Sequence, residues 1–92
     1  MSFEAFLVKN VNRMNEKQFE VVNEMIEIIK KGKRQSINSA AQKCNFMNLN
    51  KNDQMPLYRA IHTLMSFTPL SDLEILEFLR DTYIKKVINE SK

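Results

Sequence analysis

The chain has 92 residues, of which 43% are hydrophobic and 27% are charged, and its formal net charge is +3. This composition excludes a disordered chain and a protein of several domains, and predicts a single helical domain over residues 1–92. One glycine and two prolines are too few for the many turns of an all-β domain. We therefore expect an all-α fold, a compact bundle of about five short helices.

The cellular compartment is predicted from cysteine usage and from the start of the chain. Cys44 is the single cysteine, which excludes an intrachain disulfide and favours a reducing compartment. The first ten residues include Glu4 among their apolar residues and lack the basic segment that begins a signal peptide. No apolar run is long enough to span a bilayer. We expect an intracellular protein, cytoplasmic or nuclear, with no membrane partner.

Two helices are predicted in the first third of the chain. The first covers Phe3 to Asn12, and the second covers Glu16 to Lys31. Asn15 and Gln18 have the spacing of a capping box, and Gly32 is predicted to end the second helix in the left-handed conformation. The apolar residues of this helix cover about half of its circumference. They are Phe19, Val21, Val22, Met25, Ile26, Ile28 and Ile29.

The third and fourth helices are predicted on either side of an asparagine-rich segment. The third runs from Ser36 to about Cys44, and residues 45–52 are predicted to form a loop. The fourth runs from about Gln54 to Phe67, which places Pro56 in a first turn, where no amide partner is lost. Small residues on the third helix would allow a close crossing with a neighbour.

The fifth helix is predicted from Asp72 to about Asn89. Ser71 and Glu74 have the spacing of a capping box at its start. At about 100° per residue, one broad apolar face contains Leu73, Leu76, Leu79, Tyr83, Ile84 and Val87. Phe78 falls beside the charged side of the helix, away from that face.

Catalytic chemistry has little support in the sequence. Cys44 and His62 are the single cysteine and the single histidine, and Cys44 lies on the apolar face of a short helix, where thiols are usually unreactive. A zinc site needs more ligands than these two, and one glycine cannot make a glycine-rich phosphate loop. We expect no enzymatic activity, no cofactor, no bound metal and no small-molecule substrate.

Basic residues are concentrated in the middle of the chain. Residues 30–69 carry a net charge of +6 between two mildly acidic ends. The run at residues 30–34 has three interpretations: neutralisation of a helix C-terminus, a nuclear localisation signal, or contact with nucleic acid. The candidate nucleic-acid-binding residues are Lys30, Lys31, Lys33, Arg34, Lys43 and Arg59.

A helix-turn-helix is the form that nucleic-acid binding would take here. The third and fourth predicted helices would be its two helices, and Gln54, Tyr58 and Arg59 would face the bases. The predicted loop over residues 45–52 is about twice as long as the usual turn.

Protein binding is the hypothesis that we favour. Apolar residues outside the main stripes indicate packing against a partner, and methionine adapts to irregular binding surfaces. Met14, Met25 and Met65 are expected in the core, and Met47 and Met55 on the surface. The candidate protein-binding residues are Phe78, Ile75, Val21, Ile28, Met47 and Met55. We predict an interaction module whose partner is another protein or a second copy of itself; the alternative is a small nucleic-acid-binding domain.

Overall fold

The computed structural model describes residues 14–32 and 36–91, and these residues form an all-α bundle. The four α-helices in these ranges are α1, Glu16–Lys31; α2, Ile37–Lys43; α3, Lys51–Phe67; and α4, Asp72–Glu90. A 3-10 helix covers Asn45–Asn48, and the described ranges contain no strand. The all-α prediction is confirmed, and the four α-helices in the described ranges correspond to the second to fifth predicted helices. The first predicted helix, Phe3 to Asn12, lies outside the described residues.

Helix α1 is the central element, and it packs against α2, α3, α4 and the 3-10 helix. Its buried apolar residues are Val21, Val22, Met25 and Ile26. The prediction that Val21 faces a partner is therefore wrong, because the residue belongs to the core of its own chain. Ile28 is partly buried against the same core. The wide apolar surface of α1 is used internally, since a central helix has neighbours on several sides.

The start of α1 is joined to the start of α3 by a cluster of polar side chains, of which Gln18 is buried. Asn15 and Gln18 form the predicted capping box: the Asn15 side chain accepts a hydrogen bond from the Gln18 amide at 2.9 Å, and Gln18 Oε1 accepts from the Asn15 amide at 2.8 Å. Gln18, only 3% exposed, also donates from Nε2 to the Asp53 carbonyl at 2.6 Å. Asn15 Nδ2 donates to the Asp53 carboxylate at 2.7 Å. One pair of side chains thus caps α1 and holds the first turn of α3.

The segment predicted as a loop is mostly helical. After the 3-10 helix, Asn50 caps α3 by accepting a hydrogen bond from the Asp53 amide at 2.9 Å, so α3 begins at Lys51 rather than near Gln54. Asparagine favours helix caps as strongly as it favours loops, which explains the error. Pro56 is consequently in the second turn, where it removes the hydrogen bond to the exposed Asn52.

The end of α1 differs from the prediction in its backbone conformation, and the start of α2 is held by two side chains. Gly32 ends α1 as predicted, but its backbone is extended (φ −95°, ψ 148°), not left-handed. Ser36 caps α2 by accepting from the Ser39 amide at 3.2 Å. The Asp72 carboxylate accepts from the Ile37 amide at 2.9 Å, so the first residue of α4 holds the start of α2.

Helix α4 begins with the predicted capping box. The Ser71 hydroxyl accepts from the Glu74 amide at 3.3 Å, and the Glu74 carboxylate accepts from the Ser71 amide at 3.1 Å. The hydrogen bond from the Ser71 amide lowers the pKa of Glu74, because it favours the ionised carboxylate. The two side chains therefore satisfy amides that a helix start leaves unpaired.

The buried part of α4 ends near its middle. Ile75, Leu76 and Leu79 are buried, but Ile84 and Val87, which belong to the predicted apolar face, are exposed. A helical wheel orders residues by angle and carries no information about where a neighbouring helix stops. Beyond Leu79, the Phe19 and Tyr83 rings stack at 4.6 Å, and Lys86 Nζ donates to the Met14 carbonyl at 3.3 Å. No helix in the described residues is both long enough and apolar enough to cross a membrane.

Removing the Gln18 side chain should destabilise the fold more than any exposed change near it. Gln18→Ala leaves the partly buried Asp53 carbonyl and the Asn15 amide without their partners, which costs about 2 kcal/mol. Chemical denaturation measures the loss, with the exposed Lys17→Ala as the control in the same helical turn. Equal midpoints for the two variants would contradict the proposed importance of the cluster.

The Ser71→Ala variant should lose about 1 kcal/mol of unfolding free energy, the usual value for a capping serine. Ser66→Ala, at an exposed position within α3, is the control and should lose nothing, because alanine is the better helix former. The two urea midpoints decide the question, and an unchanged midpoint for Ser71→Ala would show that the box adds no stability.

Candidate functional site

The outward side of α3 carries a stripe of five exposed residues. Successive members are four, three, four and three positions apart, the spacing at which side chains lie one above another along a helix. We name this surface the outer stripe; it consists of Lys51, Met55, Tyr58, His62 and Met65. On a wheel it is roughly 130° from the buried face of α3, so packing within the chain does not cover it.

An apolar groove lies beside the outer stripe, between α2, the 3-10 helix and α3. It has a cavity of about 280 Å³ and continues towards Met55 into a second hollow of about 250 Å³. Both hollows are lined by Phe46, Met47 and Tyr58. We name the two hollows together the methionine groove. Its lining includes four methionines: Met25, Met47, Met55 and Met65.

Hydrogen bonds and ring contacts hold the walls of the methionine groove in place. Gln54 Nε2 donates to the Phe46 carbonyl at 3.2 Å and approaches Met47 Sδ at 3.8 Å, which fixes the 3-10 helix to α3. The Tyr58 and His62 rings contact each other with centroids 4.2 Å apart. The groove is therefore formed before a ligand arrives, which reduces the ordering cost of binding.

The described residues that line the groove include no acid. Two exposed cations lie one helical turn on either side of Met55, although neither lines the groove: Lys51 precedes it and Arg59 follows it. Asp53 faces the other side of α3, where it accepts the hydrogen bond from Asn15. The α2 wall contributes the neutral polar residues Asn38 and Gln42. The formal charge beside the groove on α3 is thus positive.

Cys44 is held in an environment that disfavours the thiolate. Burial raises the pKa of its thiol, and Glu24 acts in the same direction. The sulfur is 3.7 Å from the Ala41 carbonyl and 3.4 Å from the Phe46 amide, so it takes part in the turn after α2. A nucleophilic role would require the thiolate, which this setting does not favour. Among the described residues, no group of three His, Cys, Asp or Glu residues is placed to hold a metal ion.

The six predicted protein-binding residues do not form one surface. Met47 and Met55 are exposed, as predicted, and both line the methionine groove. Phe78 is 43% exposed on α4, but Ile75 is only 1% exposed, so the predicted patch formed by these two residues is wrong. Ile75 faces inward because one helical turn separates it from the buried Leu79.

Several residues of the groove were not predicted to bind protein. The sequence predicts Tyr58 as a base contact and Met65 as a core residue, and it assigns no binding role to His62. Met65 is 42% exposed, so the prediction of a core position is wrong. The four-three spacing from Lys51 to Met65 is visible in the sequence. It was overlooked because the buried face of the same helix, with Leu57, Ile61 and Leu64, gives a stronger apolar pattern.

The predicted nucleic-acid contacts are dispersed. Lys30 and Lys31 are exposed at the end of α1, and Lys33 and Arg34 lie outside the described residues. Lys43 lines a separate hollow with Glu24, Glu27 and Ile28, on the α1 side of α2. Seven residues, including the 3-10 helix, separate α2 from α3, compared with about three or four in a helix-turn-helix. The nucleic-acid hypothesis stays a prediction.

Ile75 and Phe78 should respond differently to truncation, because one is buried and the other is half exposed. Ile75→Ala removes fully buried atoms and should cost about 2–5 kcal/mol. Phe78→Ala should cost less than about 1.5 kcal/mol, since much of the ring already meets water. Denaturation of both variants tests this contrast, and a severely destabilised Phe78→Ala variant would show that the ring is part of the core.

No family model, curated protein or solved structure matches this chain.

Proposed function

We propose that this protein is a non-catalytic interaction module that binds a helix of another protein in the methionine groove. The observation that carries the proposal is the outer stripe of α3, five exposed residues at helical four-three spacing beside a preformed apolar groove. A partner helix that offers apolar side chains at positions i, i+3 or i+4, and i+7 matches this spacing.

The side chains of the groove suit a helical ligand. Met55, Tyr58 and Met65 are each slightly less than half exposed, so completing their burial contributes roughly 1 kcal/mol per side chain. Methionine is unbranched and adapts its shape, while the Tyr58 ring offers a rigid anchor. Two shallow adjoining hollows accept successive side chains of a helix better than they enclose one small molecule.

The nucleic-acid alternative has weaker support. A recognition helix presents the side chains of its first turns to base edges. On α3 these positions include Asp53, which is acidic, and Gln54, whose amide is bonded to the Phe46 carbonyl. Binding to random-sequence DNA that falls steeply with salt would support this alternative over ours.

A pair of matched variants tests the proposed function. Met55→Gln with Met65→Gln keeps helix propensity but places polar groups in the groove. Phe78→Gln, at a similarly exposed apolar position on α4, is the control. In affinity capture from the native cell, we expect wild type and the control to retain the same partner proteins in similar amounts. The groove variant should retain about tenfold less of them.

Circular dichroism and denaturation must first show that both variants are folded. Capture that is unchanged in the groove variant would contradict the proposal, as would equal loss in the Phe78→Gln control. Sedimentation of wild type alone distinguishes a second copy from a different partner.

A further inference from the structure

We propose that the helix bound in the methionine groove is acidic: an amphipathic helix whose apolar seam is flanked by Asp and Glu. This inference rests on the proposed function and specifies the chemistry of the partner. The carrying observation is a groove whose described lining contains no acid, with an exposed cation one helical turn before Met55 (Lys51) and another one turn after it (Arg59).

One of the two cations, Arg59, has a position that flanks the seam of a helix pair, and the other, Lys51, lies in the seam itself. Lys51 occupies the first position of the outer stripe, and Arg59 follows Tyr58, which sits at its centre. In paired helices, residues next to the apolar seam select a partner by charge. Two cations without a neighbouring acid on the same edge attract carboxylates and repel lysine and arginine on an incoming helix.

The nearby acids are engaged elsewhere. Asp53 is on the far side of α3 and accepts from Asn15, and Asp72 accepts from the Ile37 amide at the start of α2. An anion at a helix N-terminus is stabilised by the free amides there, so Asp72 already has a favourable partner. Neither carboxylate neutralises the edge formed by Lys51 and Arg59.

A second copy of this chain fits the same surface less well. If two outer stripes paired, each Lys51 and Arg59 would meet a surface that carries cations and no carboxylate. Like charges across an interface suppress pairing. The stripe extends over roughly 21 Å from Lys51 to Met65, so a partner helix of about 14 residues covers it.

A displayed library of 14-residue helical peptides tests the proposal with the full chain as the target. The library fixes apolar residues at one four-three seam and varies the flanking positions among Glu, Lys, Gln and Ala. We expect enrichment of peptides with Glu at the flanks, and loss of that enrichment with the Met55→Gln, Met65→Gln variant. Enrichment of neutral or lysine-flanked peptides would overturn the acidic specificity while leaving groove binding intact.

Absence of any seam-dependent enrichment would overturn the proposed function itself, so the two failures are distinguishable. The attraction between the two cations and an acidic peptide is tested separately. Lys51→Glu with Arg59→Glu should weaken binding of the selected peptide about tenfold at low salt, and added salt should then raise its affinity rather than lower it, since each reversal replaces attraction by repulsion. Lys85→Glu, at an exposed cation on α4, is the control and should have little effect. Equal affinity of the folded Lys51→Glu, Arg59→Glu variant would overturn the proposal.

Discussion

The packing of every other element on α1 is the constraint on which this structure depends. A small domain can bury only a few residues, so a single core forms around one central helix against which the other elements pack. The wide apolar surface of α1 meets that need, with Val22 and Met25 completely buried. Because α2, α3 and α4 each turn one face towards α1, the opposite face of α3 remains outside the core. The groove lies along this outer side, because α3 carries apolar residues on two sides and α2 and the 3-10 helix cover only one of them.

Polar contacts determine how α3 is placed on that centre. Gln18 caps α1 and donates to the Asp53 carbonyl, while Asn15 binds the Asp53 carboxylate. These contacts fix the beginning of α3 where Lys51 and Met55 enter the outer stripe. The same arrangement turns Asp53 away from the groove and leaves the neighbouring cations without an acid on their side. The hydrogen bonds of Asn15 and Gln18 to Asp53 therefore contribute to stability and also keep this carboxylate away from the candidate site.

The groove also connects the two hypotheses that the sequence supports. The segment considered for DNA contact and the methionines considered for protein contact meet on one helix, α3. The structure places Tyr58 beside His62 and between Met55 and Met65, where an apolar contact is easier to explain than contact with a base edge. A guanidinium group such as that of Arg59 is able to bind a carboxylate as well as a phosphate, because both anions accept paired hydrogen bonds from it.

The sequence by itself determined the helices and most of their ends. Both capping boxes, at Asn15 and Ser71, were predicted, because a cap depends on residues within one turn. The exposure of Met47 and Met55 was also predicted, from their position beside polar residues. Tertiary structure alone decided the rest: that Val21 and Ile75 are buried, that Ile84 and Val87 are exposed, and that Met65 joins Met47 across a groove. Each of these outcomes depends on where a neighbouring helix lies and where it ends. The periodicity of one helix gives the angle at which a side chain projects, but it does not give the residues that the side chain contacts.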